Sequence, residues 1–221
     1  PRQTLGNFLT GENAQVVHSL KQLKSKGLIH SPFLYLWGTP GCGKTHLLKG
    51  SAGLVGERLR SGKDRFVFKE GPQALFIDDV QKLTAFSQVQ LFNAFNTALN
   101  GGLPKFIVLA GNKAASELPV REDLRTRIES GLCMRVAPLS EEDKMQALQR
   151  IARSRGLQLS TEVVDYALRH FQRDMGSLTA LLDGLDRFSL EQKKPVSVHL
   201  LRHWMRRRES LVVKEHETRA V

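Results

Sequence analysis

The stretch "FLYLWGTPGCGKTHLL", residues 33 to 48, decides how the rest of the chain is read. Its first five residues are too apolar for a strand with one wet face, and they predict a central parallel strand covered on both sides. The next eight, Gly38-Thr39-Pro40-Gly41-Cys42-Gly43-Lys44-Thr45, fit the phosphate-loop spacing GxxxxGK[ST], with a buried strand before them and a helix start after. Glycines let such a loop turn tightly, so that backbone N–H groups converge on phosphate oxygens while the helix N-terminus adds a favourable dipole. In that arrangement Lys44 reaches the β and γ phosphates and Thr45 ligates Mg²⁺. The expected cofactors are ADP or ATP, with Mg²⁺.

Outward from the loop, a helix is expected from about Lys44 to Arg60, a short strand at "RFVF" (65 to 68) and a second buried strand at 74 to 77. "ALFIDDVQ", 74 to 81, ends that strand in two carboxylates at the carboxyl edge of the sheet. Asp78 is suited to hold Mg²⁺ through water, and Asp79 stands where a water-activating base is needed. Its short side chain, where glutamate is common, predicts slow hydrolysis. A helix over "SQVQLFNAFNTALNGG" and a third buried strand at 105 to 111 follow, ending in Asn112, which is placed to orient water near a γ phosphate. Upstream, Val16, Leu20 and Leu23 recur at helical intervals before the stop at Gly27. Alternating strands and helices imply an α/β layer architecture with a central parallel sheet.

One spacing conflicts with this scheme. Parallel neighbours need a crossover of a dozen or so residues, whereas "KEGPQ" offers five between 68 and 74. Either the strand at 65 to 68 runs antiparallel, or it lies outside the sheet, or a segment near 69–73 is missing from the sequence; the last is favoured.

From Ser140 the texture becomes helical. "SEEDKMQALQRIARSRG" opens with Ser140 and Asp143 at capping-box spacing, "STEVVDYALRHFQ" repeats the design from Ser160, and two further apolar-periodic segments reach to 207. The expected division is an α/β domain over 1–138 and a small all-α domain over 139–221.

Composition narrows the function classes. The formal charge is +11, of which residues 1–138 hold +8 and the remainder +3. Such a balance suits nucleic acid or an acidic protein surface, although dispersed basic residues support only a weak DNA contact. The tight run Arg206-Arg207-Arg208 reads equally well as a solvated helix face. Two cysteines are too few for a disulfide framework or a zinc site, and Cys42 reads as a small residue that fits its loop. No apolar run is long enough to span a bilayer and the first residues lack a signal-peptide core, so no membrane partner and a cytoplasmic location are expected.

Taken together, the motifs resemble those of the AAA+ ATPases, and among them the DnaA family of bacterial replication initiators. "TLGNFLTGEN" (4–13) is similar to the family's N-terminal segment that closes over adenine, which implies that Leu5 and Phe8 line the nucleotide site. "LYLWGTPGCGKTHLL" is similar to its phosphate loop, His46 included, and "LFIDDVQ" to its magnesium motif. The resemblance implies an AAA+ P-loop core followed by a helical lid, Asn112 at sensor 1, and Arg127 of "LRTRI" as the arginine finger that acts on a neighbouring subunit's ATP. Where the family pattern has the sensor 2 arginine, this chain has Gly176, although Arg169 or Arg173 could reach instead.

The chain ends about fifteen residues after "HLLRHWM", which leaves no room for the family's helix-turn-helix domain, and the helical insertion between the second and third strands is absent. These departures resemble the short, regulatory members of the family. The resemblance then implies a nucleotide-bound, chiefly ADP-bound, protein with weak or no ATPase of its own. Such a protein promotes ATP hydrolysis by DnaA in trans, tethered to the DNA polymerase III sliding clamp. The tether is a glutamine-led peptide at the N-terminus, not matched upstream of "TLGNF"; Gln88-Val89-Gln90-Leu91-Phe92 resembles it superficially but falls on an expected helix. Self-association through the AAA+ interface is allowed. The alternative function is a DnaA-like ATPase that loads a helicase or remodels DNA.

Overall fold

The computed structural model describes residues 3–28, 31–69, 71–171 and 175–207. They form two units, one ending at Leu139 and the other beginning at Ser140. The first holds a five-stranded sheet in the order β2-β3-β4-β1-β5, with β1 Phe33–Trp37, β2 Leu59–Ser61, β3 Ala74–Asp78, β4 Phe106–Gly111 and β5 Leu132–Arg135. All four pairings are parallel, as in the register Tyr35 against Leu109 and Phe76 against Val108. Every residue of β3 and β4 is buried, which explains their unbroken apolar sequences: helices cover both faces, so no position faces water.

One face packs on α1 (Ala14–Lys26) and α2 (Lys44–Val55) through Val16, Leu20, Leu47 and Leu48; the other packs on α3 (Ala85–Leu99) and α4 (Glu122–Glu129) through Leu91, Phe95, Leu124 and Ile128. Because Gln88 and Leu91 are buried in α3, the stretch that resembles a clamp peptide is part of the core rather than an extended ligand.

Three sequence expectations change here. The helix after the phosphate loop stops at Val55, because Gly56 takes a left-handed conformation (φ 79°), and 59–61 become the edge strand β2 rather than the helix's last turn. "RFVF" is not a strand: it lies outside the sheet, the second of the three options, with the Phe66 and Phe68 N–H groups donating to Ser87 Oγ (3.1 Å) and Gln90 Oε1 (3.1 Å) of α3. The connection from β2 to β3 therefore runs over residues 62–73, long enough for a parallel crossover. Finally, β5 was not anticipated; it is a mixed, mostly exposed edge strand with no apolar run to announce it.

The second unit is helical: α5 Glu141–Ser154, α6 Thr161–His170, α7 Met175–Gln192 and a helix over 198–207. Ser140 caps α5 by accepting from the Asp143 N–H at 3.0 Å, whereas Ser160 stands at the start of α6 without a side-chain cap. Leu148, Val164, Leu168, Leu178 and Leu182 form one small core, and Val163, Leu181, Leu185, Phe188, Leu200 and Leu201 a second.

Candidate functional site

The loop between β1 and α2 turns at Gly41 (φ 80°) and Gly43 (φ 104°), both left-handed. Gly43 carries a second constraint, since a Cβ there would come within 2.7 Å of the Phe8 ring. The loop is thus tied to the N-terminal segment. Lys44 Nζ is buried and donates to the carbonyls of Gly38 (2.8 Å) and Thr39 (2.9 Å), with Cys42 Sγ at 3.6 Å. Thr45 Oγ1 donates to Asp78 Oδ2 at 2.5 Å, and the other oxygen of Asp78 accepts the Asp79 N–H at 2.8 Å.

The two neighbouring aspartates differ in their surroundings. Asp78 is 9% exposed and faces the loop, so its position beside Thr45 fits a hydroxyl and carboxylate pair that share Mg²⁺. Asp79 sits in a left-handed conformation (φ 54°) with its carboxylate turned to Lys82 Nζ (2.7 Å) and Gln81 Nε2 (3.1 Å). Partial burial pushes its pKa up, but the bonds from Lys82 and Gln81 and the charges of Lys82 and Lys63 outweigh that, leaving the group below the usual carboxylate range.

The N-terminal segment is anchored on α2. His46 Nε2 meets the Thr4 carbonyl (2.9 Å) and Asn7 Oδ1 (3.0 Å); both are acceptors, so this nitrogen carries the proton. Burial draws the imidazole below its ordinary pKa, with Lys49 acting the same way and the Thr4 bond opposing. Phe8 packs edge-on against the His46 ring with centroids 5.3 Å apart, and Leu5 is buried where Gly50 leaves room for its backbone. The structure therefore brings Leu5, Phe8, the loop and His46 together, and Asn112 follows directly on β4, exposed at the same edge of the sheet.

Comparison with known proteins places this geometry. Residues 141–207 match the family model for the Hda lid domain. An uncharacterized protein of Haemophilus influenzae is 30% identical over 210 residues, covering 88% of this chain and 90% of that protein. The chain belongs to the Hda/DnaA-type AAA+ family. Domain III of the DnaA protein of Thermotoga maritima superposes with a TM-score of 0.74 at 21% identity, over 93% of this chain and 96% of that one. The AMPPCP-bound DnaA of Aquifex aeolicus superposes at 0.68 with 25% identity, over 84% of this chain and 65% of that one.

In this AAA+ core, Arg127 lies on α4 with its guanidinium 5.8 Å from the centre of the Phe92 ring of α3. It is well away in sequence and element from the loop. Gly176 stands in the first turn of α7, and Arg173 and Arg208 lie outside the described residues. Among the described residues no group of three or more His, Cys, Asp or Glu could hold a metal by itself, so a cation here would share its shell with nucleotide and water. No described helix is long and apolar enough to cross a membrane.

Three supporting residues escaped the sequence reading. Asn13 is buried and brackets Ala137, donating to its carbonyl (2.9 Å) and accepting its N–H (2.8 Å), which fastens the N-terminal segment to the end of the sheet. Tyr35 Oη donates to the Lys113 carbonyl at 2.6 Å and so fixes the turn that carries Asn112. Burial raises the Tyr35 phenol well above its ordinary pKa. Gln81 lies between Asp79 and Gly111, with its Oε1 buried and without a hydrogen-bond partner. Each sits in a run that reads as plain core, cap or turn, so only the fold reveals its partner.

Proposed function

We propose that the chain is a nucleotide-binding AAA+ regulator of bacterial replication initiation that promotes ATP hydrolysis by DnaA in trans. Lys44, Thr45 and Asp78 would hold the phosphates and Mg²⁺ of the chain's own nucleotide, ADP in the resting state, while Leu5, Phe8 and His46 close its base side. The bound nucleotide supplies phosphate charge that orders this edge of the sheet. Arg127 then offers its guanidinium to the ATP held by a DnaA neighbour, where an arginine stabilises charge that the neighbour's own residues leave uncompensated. The sliding clamp brings the two proteins together.

The observation that carries the reading is the state of Asp79. A general base needs a sufficiently basic carboxylate aimed at the attacking water, and here both oxygens are turned to Lys82 and Gln81, whose hydrogen bonds lower its basicity. With glycine at 176 as well, the chain's own site is equipped to hold nucleotide better than to cleave it.

The test mixes the protein with ATP-loaded DnaA and clamp loaded on DNA and follows ADP formation. Stimulated hydrolysis with negligible turnover by the protein alone is the expected result. Rapid, DNA-stimulated turnover by the protein itself, without an effect on DnaA, would instead assign it to helicase loading or DNA remodelling.

A further inference from the structure

The lid ends in a segment whose charge the proposed function leaves unused. Residues 193–208, "KKPVSVHLLRHWMRRR", contain six lysines and arginines and no acidic residue. Helix formation over 198–207 sorts them: Leu200 and Leu201 are buried in the lid core, whereas His199, Arg202, His203, Arg206 and Arg207 are exposed, at spacings of three and four that place them along one side. Lys193 and Lys194, in the turn that leads into the helix, are exposed too.

Two of these arginines are held in place by aromatic rings beneath them. Arg202 lies 5.0 Å from the centre of the Tyr166 ring and Arg207 lies 5.8 Å from that of Phe188. A guanidinium held over a ring by cation–π attraction is partly ordered before any anion arrives. Arg207 also pairs with Glu191 at 3.8 Å, a long contact between well-exposed groups that contributes little.

We infer that this face of the lid binds the phosphate backbone of duplex DNA. Charge complementarity selects a polyanion. The alternative, an acidic protein surface, calls for a buried aromatic or aliphatic anchor at the centre of the contact. Here the aromatics lie under the arginines, and no large apolar side chain in 198–207 is exposed. Within 198–207 no phenylalanine, tyrosine or tryptophan ring is exposed, which argues against a platform for stacked single-stranded bases. From 199 to 206 the face is about 10 Å long, which matches roughly three successive phosphates along one strand. Contacts of this kind fix position without reading sequence.

The experiment measures binding of the full chain to a fluorescein-labelled duplex of arbitrary sequence by anisotropy, from about 50 to 200 mM salt. Two charge-reversal pairs are compared: Arg202→Glu with Arg207→Glu, and Lys194→Glu with Arg206→Glu, the second leaving both aromatic stacks intact should the first unfold the lid. The inference predicts at least tenfold weaker binding at low salt for the second pair and a shallower dependence of log K on log salt, by about two. Unchanged affinity and slope in that folded variant would overturn it. Equal binding of polyglutamate and duplex by the unmodified protein would also overturn it and assign the face to an acidic protein.

Discussion

The carboxyl edge of the sheet and the outer surface of α4 both present cationic side chains, but they present them differently. At the sheet edge Lys44 and Asp78 are buried and Thr45 is exposed beside them, and all three side chains are turned toward one another or toward loop carbonyls, with distances from 2.5 to 2.9 Å. On α4, Arg127 is half-exposed and rests on a single ring at 5.8 Å. The first arrangement is closed on itself, whereas the second faces partly outward. On the proposed reading the protein keeps a nucleotide in one place and spends its arginine in another.

That contrast can be broken from either side. The largest effect is expected from Lys44→Ala, which removes the charge at the centre of the enclosed site and should weaken ADP binding about 100-fold or more by calorimetry. Next, Asn13→Ala leaves both backbone groups of Ala137 without partners and should cost about 2–3 kcal/mol in urea unfolding, loosening the segment that carries Leu5 and Phe8.

Lys82→Ala frees one oxygen of Asp79 and, on the proposed reading, should raise ATP turnover by the protein alone, roughly tenfold at most, while ADP affinity stays the same. It also has a pH signature. The depressed pKa of Asp79 contributes stability that is present above the ordinary carboxylate range and is lost as pH falls through the folded-state value. The stability difference between the parent and Lys82→Ala should therefore exist at neutral pH and close in acid. The smallest effect belongs to Tyr35→Phe, about 1 kcal/mol, from the lost bond to Lys113.

The same contrast governs what could be read from the sequence. Buried strands and the glycine-rich loop are legible because burial on two faces forces unbroken apolar runs and because left-handed turns favour glycine. Edge strands leave no such trace: β2 is "LRS" and β5 is "LCMR", and each is half-exposed or exposed along most of its length. "RFVF" misleads for the opposite reason. Phe66 is buried and Phe68 half-buried against α3, but side chains of α3 rather than a neighbouring strand take up their N–H groups. At the site, residue identities were legible while their engagement was not, since nothing in "IDDVQK" tells that Lys82 and Gln81 turn back onto Asp79.

The most direct test of the central claim uses Arg127→Ala. ADP binding by the variant and ATP hydrolysis by DnaA in the presence of the DNA-loaded clamp are measured on the same preparation. Intact ADP affinity with stimulation reduced by about 10³-fold, to the level of DnaA alone, is the predicted result. Stimulation equal to that of the unmodified protein, or a parallel loss of ADP binding, would contradict a role for Arg127 in its neighbour's site.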